Sequence, residues 1–163
     1  MTKLIVNMAS CIVSIGYDDK GASVVKAAPS NAFAIEGLQT IADRELIDRA
    51  RAVVNPRRIG KHTTCDVGCA LLAADGLVYV GVCVDVPCGI GFCAEHSAIA
   101  AMVTAGEHRI RRIVAVRGDG SVLPPCGRCR EFMRQLDPEN MDADVVLAQG
   151  HCKLLKDLLP FPW

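Results

Sequence analysis

Two short cysteine motifs lie far apart in this chain and together constrain what it can fold into. A Cys-Ala-Glu triplet begins at Cys93, and a Pro-Cys-Gly-Arg-Cys run supplies Cys126 and Cys129. Three thiolates can bind one zinc ion, and Glu95 is near enough to Cys93 to reach a fourth position. Three protein ligands beside an open position are typical of catalytic zinc, whereas structural sites are closed by four. The motifs therefore predict a catalytic zinc site in which Glu95 moves protons to and from a water molecule.

The composition predicts one neutral domain. About half of the 163 residues are apolar, and 18 Lys and Arg balance 18 Asp and Glu. Such a chain lacks the positive charge of a nucleic-acid binder, and no apolar run approaches the roughly 18 residues of a membrane span. Nine cysteines, an odd number, fit a reducing compartment better than a disulfide framework. We therefore expect a cytoplasmic protein that binds neither nucleic acid nor membranes.

Clear helix and strand patterns begin at Gln39. Residues 1–38 mix β-branched runs with turn residues and are expected to be an N-terminal extension, which leaves 39–163 as the domain. The order of elements predicts a mixed α/β sheet with helices on its faces. Both cysteine motifs fall where a loop enters a helix, so two helix N-termini partly offset the thiolate charge. The predicted elements are a helix ending before Pro56, strands 66–73 and 77–84, a helix 94–105, a strand 113–116, a loop 117–125, a helix 126–136, a strand 145–148 and a helix 153–159.

A closed structural site is the main alternative. Cys88 and Cys93 have C-x4-C spacing, Cys126 and Cys129 have C-x2-C spacing, and both spacings occur in structural zinc sites. The chain would then be a zinc-stabilised binding protein with a four-cysteine site. Such a site does not require the glutamate of the first motif or the proline of the second. The long helices and strands expected around the motifs are also unlike a small zinc module.

The motifs and the segments around them resemble the cytidine deaminase family, including its small blasticidin-S deaminase relatives. The similar stretch runs from about Gln39 to Trp163, and the separation of Cys93 from Cys126 suits the family. One C-x-x-C pair would be a weak signal. Several similar segments in the same order, on matching predicted secondary structure, are specific for the family. The similar segments are 67–72 (VGCALL), 75–76 (DG), 93–95 (CAE), 98–99 (AI), 125–130 (PCGRCR) and 158–160 (LLP).

The resemblance implies a three-layer α/β/α sandwich around a five-stranded mixed sheet, usually in a homotetramer. It implies that Cys93, Cys126 and Cys129 bind one zinc ion per subunit. It also implies hydrolytic deamination of cytidine, deoxycytidine or a related aminated nucleoside, as in pyrimidine salvage. In that reaction zinc-bound hydroxide attacks the carbon that bears the amine, and Glu95 carries protons to the ring nitrogen and to the leaving ammonia. His96 stands where Arg is common and is a candidate to hydrogen-bond a thiolate, with a surface role as the alternative.

The departures from the family pattern concern the substrate. Cys65 stands where Phe is common before the Val-Gly pair, and Cys83 and Asp85 stand where Asn and Glu bind the ribose. We expect these three residues, with Ala94 and Pro125, to contribute to substrate binding. Loss of a stacking ring and an amide removes contacts that position a nucleoside. The substrate is therefore expected to be a cytosine nucleoside held differently, a nucleoside antibiotic such as blasticidin S, or another aminated heterocycle.

Overall fold

The structure, a computed structural model, describes residues 42–163 in full and, before them, only the backbone of four strands. These are β1 (Ile5–Met8), β2 (Cys11–Tyr17), β3 (Ser23–Ala28) and β4 (Ala32–Ala34). Strands β1 to β3 form an antiparallel sheet of their own, whereas β4 pairs with a strand of the main sheet. The expected start of the domain at Gln39 lies outside the described residues.

The remaining elements follow the order expected for a mixed α/β chain. The helices are α1 (Asp43–Ala52), α2 (Ala94–Thr104), α3 (Gly127–Leu136) and α4 (Leu155–Leu158), with short 3-10 helices at Pro87–Gly89 and Pro138–Asp142. The strands are β5 (Arg57–Ile59), β6 (His62–Thr64), β7 (Val67–Ala73), β8 (Leu77–Val82), β9 (Ile110–Arg117), β10 (Val122–Leu123), β11 (Asp144–Ala148) and β12 (His151–Leu154).

A mixed sheet of seven strands forms the centre of the domain, in the order β12-β11-β9-β7-β8-β4, with β10 paired to β9. Strands β9 and β11 are parallel, and the other neighbouring pairs are antiparallel. The mixed α/β fold is therefore confirmed. The sheet exceeds the expected five strands because β4 extends one edge and the two-residue β10 adds a short pairing.

Helices cover both faces of this sheet, as the three-layer arrangement requires. Successive residues of β7 point to opposite faces, so Leu72 packs in one cluster with Leu46 of α1. Leu71 packs in the other cluster with Ile99 of α2 and Met133 of α3. These side chains are almost completely buried, and they fix where α2 and α3 begin relative to the sheet.

Gly81 lets α2 approach β8 closely. A Cβ atom at this position would lie 2.4 Å from the backbone nitrogen of Ala98 and 2.5 Å from Cβ of Ser97, distances that real Cβ atoms do not show. The Ser97 hydroxyl also donates a 2.6 Å hydrogen bond to the carbonyl of Val82. The first turns of α2 are therefore held against the end of β8, and this contact positions the first cysteine motif.

Some elements differ from the sequence-based prediction. The hairpin β5–β6 and the strand β12 were not predicted, β9 begins at Ile110 instead of residue 113, and β10 lies in the expected loop 117–125. The last helix begins at Leu155 because the two residues before it pair with β11. These segments are short or have little apolar alternation, so periodicity alone does not reveal them. No helix in the described part of the chain is long and apolar enough to span a bilayer.

Candidate zinc site

The two cysteine motifs begin two neighbouring helices. Cys93 is the N-cap residue of α2 and Cys126 is the N-cap residue of α3, and both have extended backbone conformations. Cys129 lies in the first turn of α3 and is fully buried. Helix N-termini carry unpaired N–H groups and partial positive charge. The fold therefore brings three thiols together where the backbone favours negative charge.

The spacing of the three sulfur atoms fits a zinc ion. Cys93 Sγ lies 3.8 Å from Cys126 Sγ, Cys126 Sγ lies 3.5 Å from Cys129 Sγ, and all three atoms are within 4.8 Å of one another. Sulfurs bound about 2.3 Å from one tetrahedral zinc ion are about 3.8 Å apart, whereas a disulfide measures about 2.05 Å. Among residues 42–163 this is the group that can hold a metal ion, and Cys88 is not part of it.

Glu95 places a buried carboxyl group beside the thiols. It is 5% exposed and is one of three buried polar or charged residues in the range 42–163. Burial raises the pKa of Glu95, while a hydrogen bond with the Cys129 thiol only partly opposes this change. A buried carboxyl group with a raised pKa, next to three candidate metal ligands, is suited to accept and release protons.

The thiols differ in how readily they ionise. Burial opposes ionisation of Cys126, but the backbone N–H groups of Cys129 and Arg128 near its sulfur lower its pKa overall. Burial and then the charge of Glu95 raise the pKa of Cys129, and burial is also the main cause of the raised pKa of Cys93. A bound divalent cation would compensate for the negative charge that disfavours three neighbouring thiolates.

His96 lies against the thiol of Cys129. Its Nδ1 atom is 3.6 Å from Cys129 Sγ, and its ring stacks on Phe132 with centroids 4.6 Å apart and planes 2° apart. Burial, followed by the charge of Arg128, lowers the pKa of His96. The stack therefore holds the imidazole next to one of the sulfur atoms.

The predicted substrate residues at the ends of β7 and β8 also lie together. Cys65, which has a left-handed backbone with φ of 61°, donates its N–H to the carbonyl of Cys83 at 3.1 Å. The Cys83 thiol points to Asp66 and donates to its Oδ1 at 3.0 Å. Burial and this hydrogen bond raise the pKa of Cys83. Asp85 is exposed two residues further along the chain.

The other two predicted substrate residues flank the metal-ligand candidates. Ala94 is completely buried in the first turn of α2. Pro125 is buried next to Cys126, and it lines the same narrow cleft as Glu95. The starts of the two helices therefore meet near Glu95.

The sequence-based prediction did not identify Thr64. This buried residue ends β6, and its hydroxyl bonds to the backbone on both sides of Val84. The three-residue strand β6 has no clear apolar alternation, so the sequence gives little indication that Thr64 is buried. Its position directly before Cys65, a predicted substrate residue, is the one sequence feature that points to it.

Comparisons with known proteins agree with this geometry. The family described as "Cytidine and deoxycytidylate deaminase zinc-binding region" matches residues 40–143. Cytidine deaminase of Mycobacterium tuberculosis is 43% identical over 95 residues, which cover 58% of this chain and 69% of that protein. Cytidine deaminase of Halalkalibacterium halodurans is 27% identical over 121 residues, which cover 72% of this chain and 92% of that protein.

Solved structures show the same fold. The crystal structure of cytidine deaminase from Mycobacterium tuberculosis has a TM-score of 0.65 and 28% identity, covering 76% of this chain and 98% of that one. The crystal structure of cytidine deaminase from Burkholderia pseudomallei has a TM-score of 0.64 and 29% identity, and the match covers 76% of this chain and 100% of that one. The matched family region contains all three clustered cysteines and extends over more than half of the sequence. The chain therefore belongs to the cytidine and deoxycytidylate deaminase family.

Proposed function

We propose that this protein is a zinc-dependent hydrolase that deaminates cytidine, deoxycytidine or a related aminated nucleoside and releases ammonia. The observation that carries the proposal is the buried Glu95 carboxyl group beside three clustered thiols at two helix N-termini. Cytidine deaminases are also the relatives that the comparisons return.

Cys93, Cys126 and Cys129 are the proposed zinc ligands, with one ion in each subunit. Their sulfur spacing suits a tetrahedral ion, and among residues 42–163 no fourth Cys, His, Asp or Glu ligand belongs to the cluster. This favours an open position over the closed alternative with Cys88. A structural four-cysteine site would also leave the buried carboxyl group of Glu95 without a role.

Glu95 is the proposed proton carrier. Zinc held by three thiolates would lower the pKa of a water molecule toward about 7 and so supply a nucleophile at neutral pH. The Glu95 carboxylate accepts the proton of that water while the oxygen forms a bond to the ring carbon that bears the amine. Glu95 delivers this proton to the adjacent ring nitrogen and then carries the remaining proton of the added hydroxyl to the amine, which leaves as ammonia as its bond to carbon breaks and the carbonyl forms.

His96 is proposed to hold the Cys129 sulfur in place. Its Nδ1 atom faces this sulfur at 3.6 Å, and the stack on Phe132 restrains the ring. A hydrogen bond to a metal-bound thiolate reduces the negative charge on the sulfur and fixes its direction. His96 therefore supports the ligand without contacting the substrate.

Cys65, Cys83, Asp85, Ala94 and Pro125 are the proposed substrate contacts. In the structure the Cys83 thiol bonds to Asp66, which makes it a poor replacement for an amide that binds a sugar. The exposed carboxylate of Asp85 is then the main candidate to accept a hydrogen bond from a sugar hydroxyl. This arrangement supports a cytosine nucleoside held differently, and it leaves blasticidin S or another aminated heterocycle as the second candidate.

Self-association as a homotetramer, a cytoplasmic location and a part in pyrimidine salvage are further proposals. Large apolar side chains near the surface support the first, because Ile90, Phe161 and Trp163 are 75%, 92% and 90% exposed. We also propose that residues 39–163 are the deaminase domain and that 1–38 extend it, with the backbone of β4 paired to β8.

The proposed activity is tested with purified protein whose zinc content has been measured. Ammonia release and the change in ultraviolet absorbance are followed for cytidine, deoxycytidine, cytosine, blasticidin S and guanine. Turnover of a cytosine nucleoside supports the first candidate, and turnover of blasticidin S alone supports the second. A zinc-loaded protein that turns over none of these compounds would contradict the proposed function.

A further inference from the structure

Thr64 is a buried hydroxyl at the junction between the hairpin β5–β6 and the main sheet. Its Oγ1 donates a 3.0 Å hydrogen bond to the carbonyl of Cys83 and accepts a 3.1 Å hydrogen bond from the N–H of Asp85. Thr64 is 9% exposed, so water competes little for these hydrogen bonds. One side chain therefore satisfies backbone groups on both sides of Val84.

The backbone around Thr64 has an unusual conformation that these bonds help to maintain. The next residue, Cys65, adopts a φ of 61°, which is unfavourable for a residue with a Cβ atom. Its N–H donates to the same Cys83 carbonyl at 3.1 Å, and its carbonyl accepts from the N–H of Asn55 at 3.0 Å. The Cys83 carbonyl thus accepts two hydrogen bonds, one from each residue of the Thr64–Cys65 pair.

The segment that Thr64 holds lies beside the first zinc-ligand candidate. Val84 and Phe92 exchange two backbone hydrogen bonds of 3.0 and 2.9 Å, and Phe92 immediately precedes Cys93. A Cβ atom at Gly91 would lie 2.4 Å from the carbonyl of Val84, so the two strands meet without spare room. This pairing therefore places the segment that carries Asp85 next to the start of α2, where the candidate metal ligands lie.

We infer that Thr64 is a positioning residue that sets the placement of Asp85, a proposed substrate contact, and so governs substrate binding. The inference rests on the proposed function, because it takes Asp85 as a contact for the substrate's sugar. The hydroxyl holds the backbone N–H of Asp85, so its loss changes where the carboxylate stands. Cys93 and Glu95 are held independently by the close packing of α2 on β8 at Gly81.

The test compares Thr64→Val with Thr64→Ser in the zinc-loaded, full-length protein. Valine keeps the shape and removes the hydroxyl with its hydrogen bonds to Cys83, Asp85 and the Cys65 thiol, whereas serine keeps the hydroxyl. For the nucleoside that the wild type turns over, we expect Thr64→Val to raise KM about 10-fold, with kcat changed less than about 2-fold, because the backbone N–H of Asp85 loses its partner and its carboxylate is no longer held in place. Thr64→Ser should restore KM to near the wild-type value with the same zinc content.

A double-mutant cycle and hydrogen exchange separate positioning from general destabilisation. In the Asp85→Asn background, Thr64→Val should raise KM by much less than it does alone, because both changes affect one contact. The N–H of Asp85 should exchange faster in Thr64→Val than in wild type, while the N–H groups at the centre of β7 should not change.

Three kinetic results would each overturn the inference. These are parallel changes in kcat and KM, failure of Thr64→Ser to restore KM, and full additivity of the KM effects of Thr64→Val and Asp85→Asn. An unchanged exchange rate at Asp85 would also overturn it, and this measurement needs no substrate. If the wild type deaminates nothing, the proposed function fails, while the exchange experiment still tests whether Thr64 positions Asp85.

Discussion

Replacement of Glu95 by glutamine is the sharpest test of the proposed proton carrier. The two side chains have nearly the same shape, and Glu95 is almost completely buried in the first turn of α2. The change therefore removes a group that can gain and lose a proton and leaves the packing intact. It also removes a negative charge that raises the pKa of Cys129, so it should not weaken the metal site.

The expected magnitude follows from the kind of step that Glu95 performs. A positioned acid or base typically contributes about 10²- to 10⁴-fold to a rate. Glu95 has a raised pKa caused chiefly by burial, which favours a group that both accepts and releases a proton during the reaction. We therefore expect kcat to fall at least about 100-fold. The midpoint of thermal unfolding should stay level or rise, because the buried carboxylate no longer loses its hydration.

The assay measures ammonia release, zinc content and thermal unfolding in the same preparations. Glu107→Gln is a matched control, since Glu107 lies just beyond the other end of α2 and accepts hydrogen bonds from the N–H groups of His108 and Arg109. This control should keep the wild-type kcat. A zinc-loaded Glu95→Gln protein with wild-type turnover would refute the proposed role of the carboxylate.

Three further predictions concern the metal, the packing of α2 and the effect of acid. Cys126→Ser should lose zinc and turnover together, and wild-type zinc content in this variant would contradict its role as a ligand. Gly81→Ala should destabilise the fold by about 1–3 kcal/mol, because the added Cβ would collide with Ser97 and Ala98. Gly127→Ala is the control, since its added Cβ has nothing within 4 Å, and it should not destabilise the fold. Equal unfolding midpoints for the two variants would exclude the close contact between β8 and α2. Partial burial would raise the pKa of Glu107, but the N–H bonds lower it overall. The ionised Glu107 carboxylate therefore stabilises the folded protein fully above the unfolded pKa of about 4.3, and this stabilisation is lost as pH falls through the folded pKa. The free energies of unfolding of wild type and Glu107→Gln should therefore become equal in acid. A difference between them that does not change with pH would contradict this.

The central sheet and the helices that carry the metal motifs could be predicted because their patterns are local. The hairpin of β7 and β8 has an Asp-Gly turn between apolar runs, and Asp75 accepts from the N–H of Leu77 at 2.9 Å as such a turn requires. The cysteine motifs required only that each helix begin at a thiol, and Cys93 and Cys126 are both N-cap residues. The structure accordingly brings the three cysteines together in a group that can hold a metal ion.

The rest of the site depends on contacts between residues that are distant in sequence. Residues of β5 are all exposed, so no apolar alternation marks the hairpin that ends at Thr64. The direction of the Cys83 thiol depends on Asp66, 17 residues away along the chain. Periodicity cannot report which of several rotamers a side chain adopts, and substrate contacts depend on that choice.

The two halves of the candidate site are held by different parts of the fold. The thiols and Glu95 sit at helix N-termini that are fixed by apolar packing on the sheet and by the contact of α2 with Gly81. Cys65, Cys83 and Asp85 lie beyond the strand ends, where the Thr64 hydroxyl and a few backbone bonds set their positions. Substitutions at the strand ends can therefore alter which nucleoside binds while the metal and the proton carrier keep their geometry.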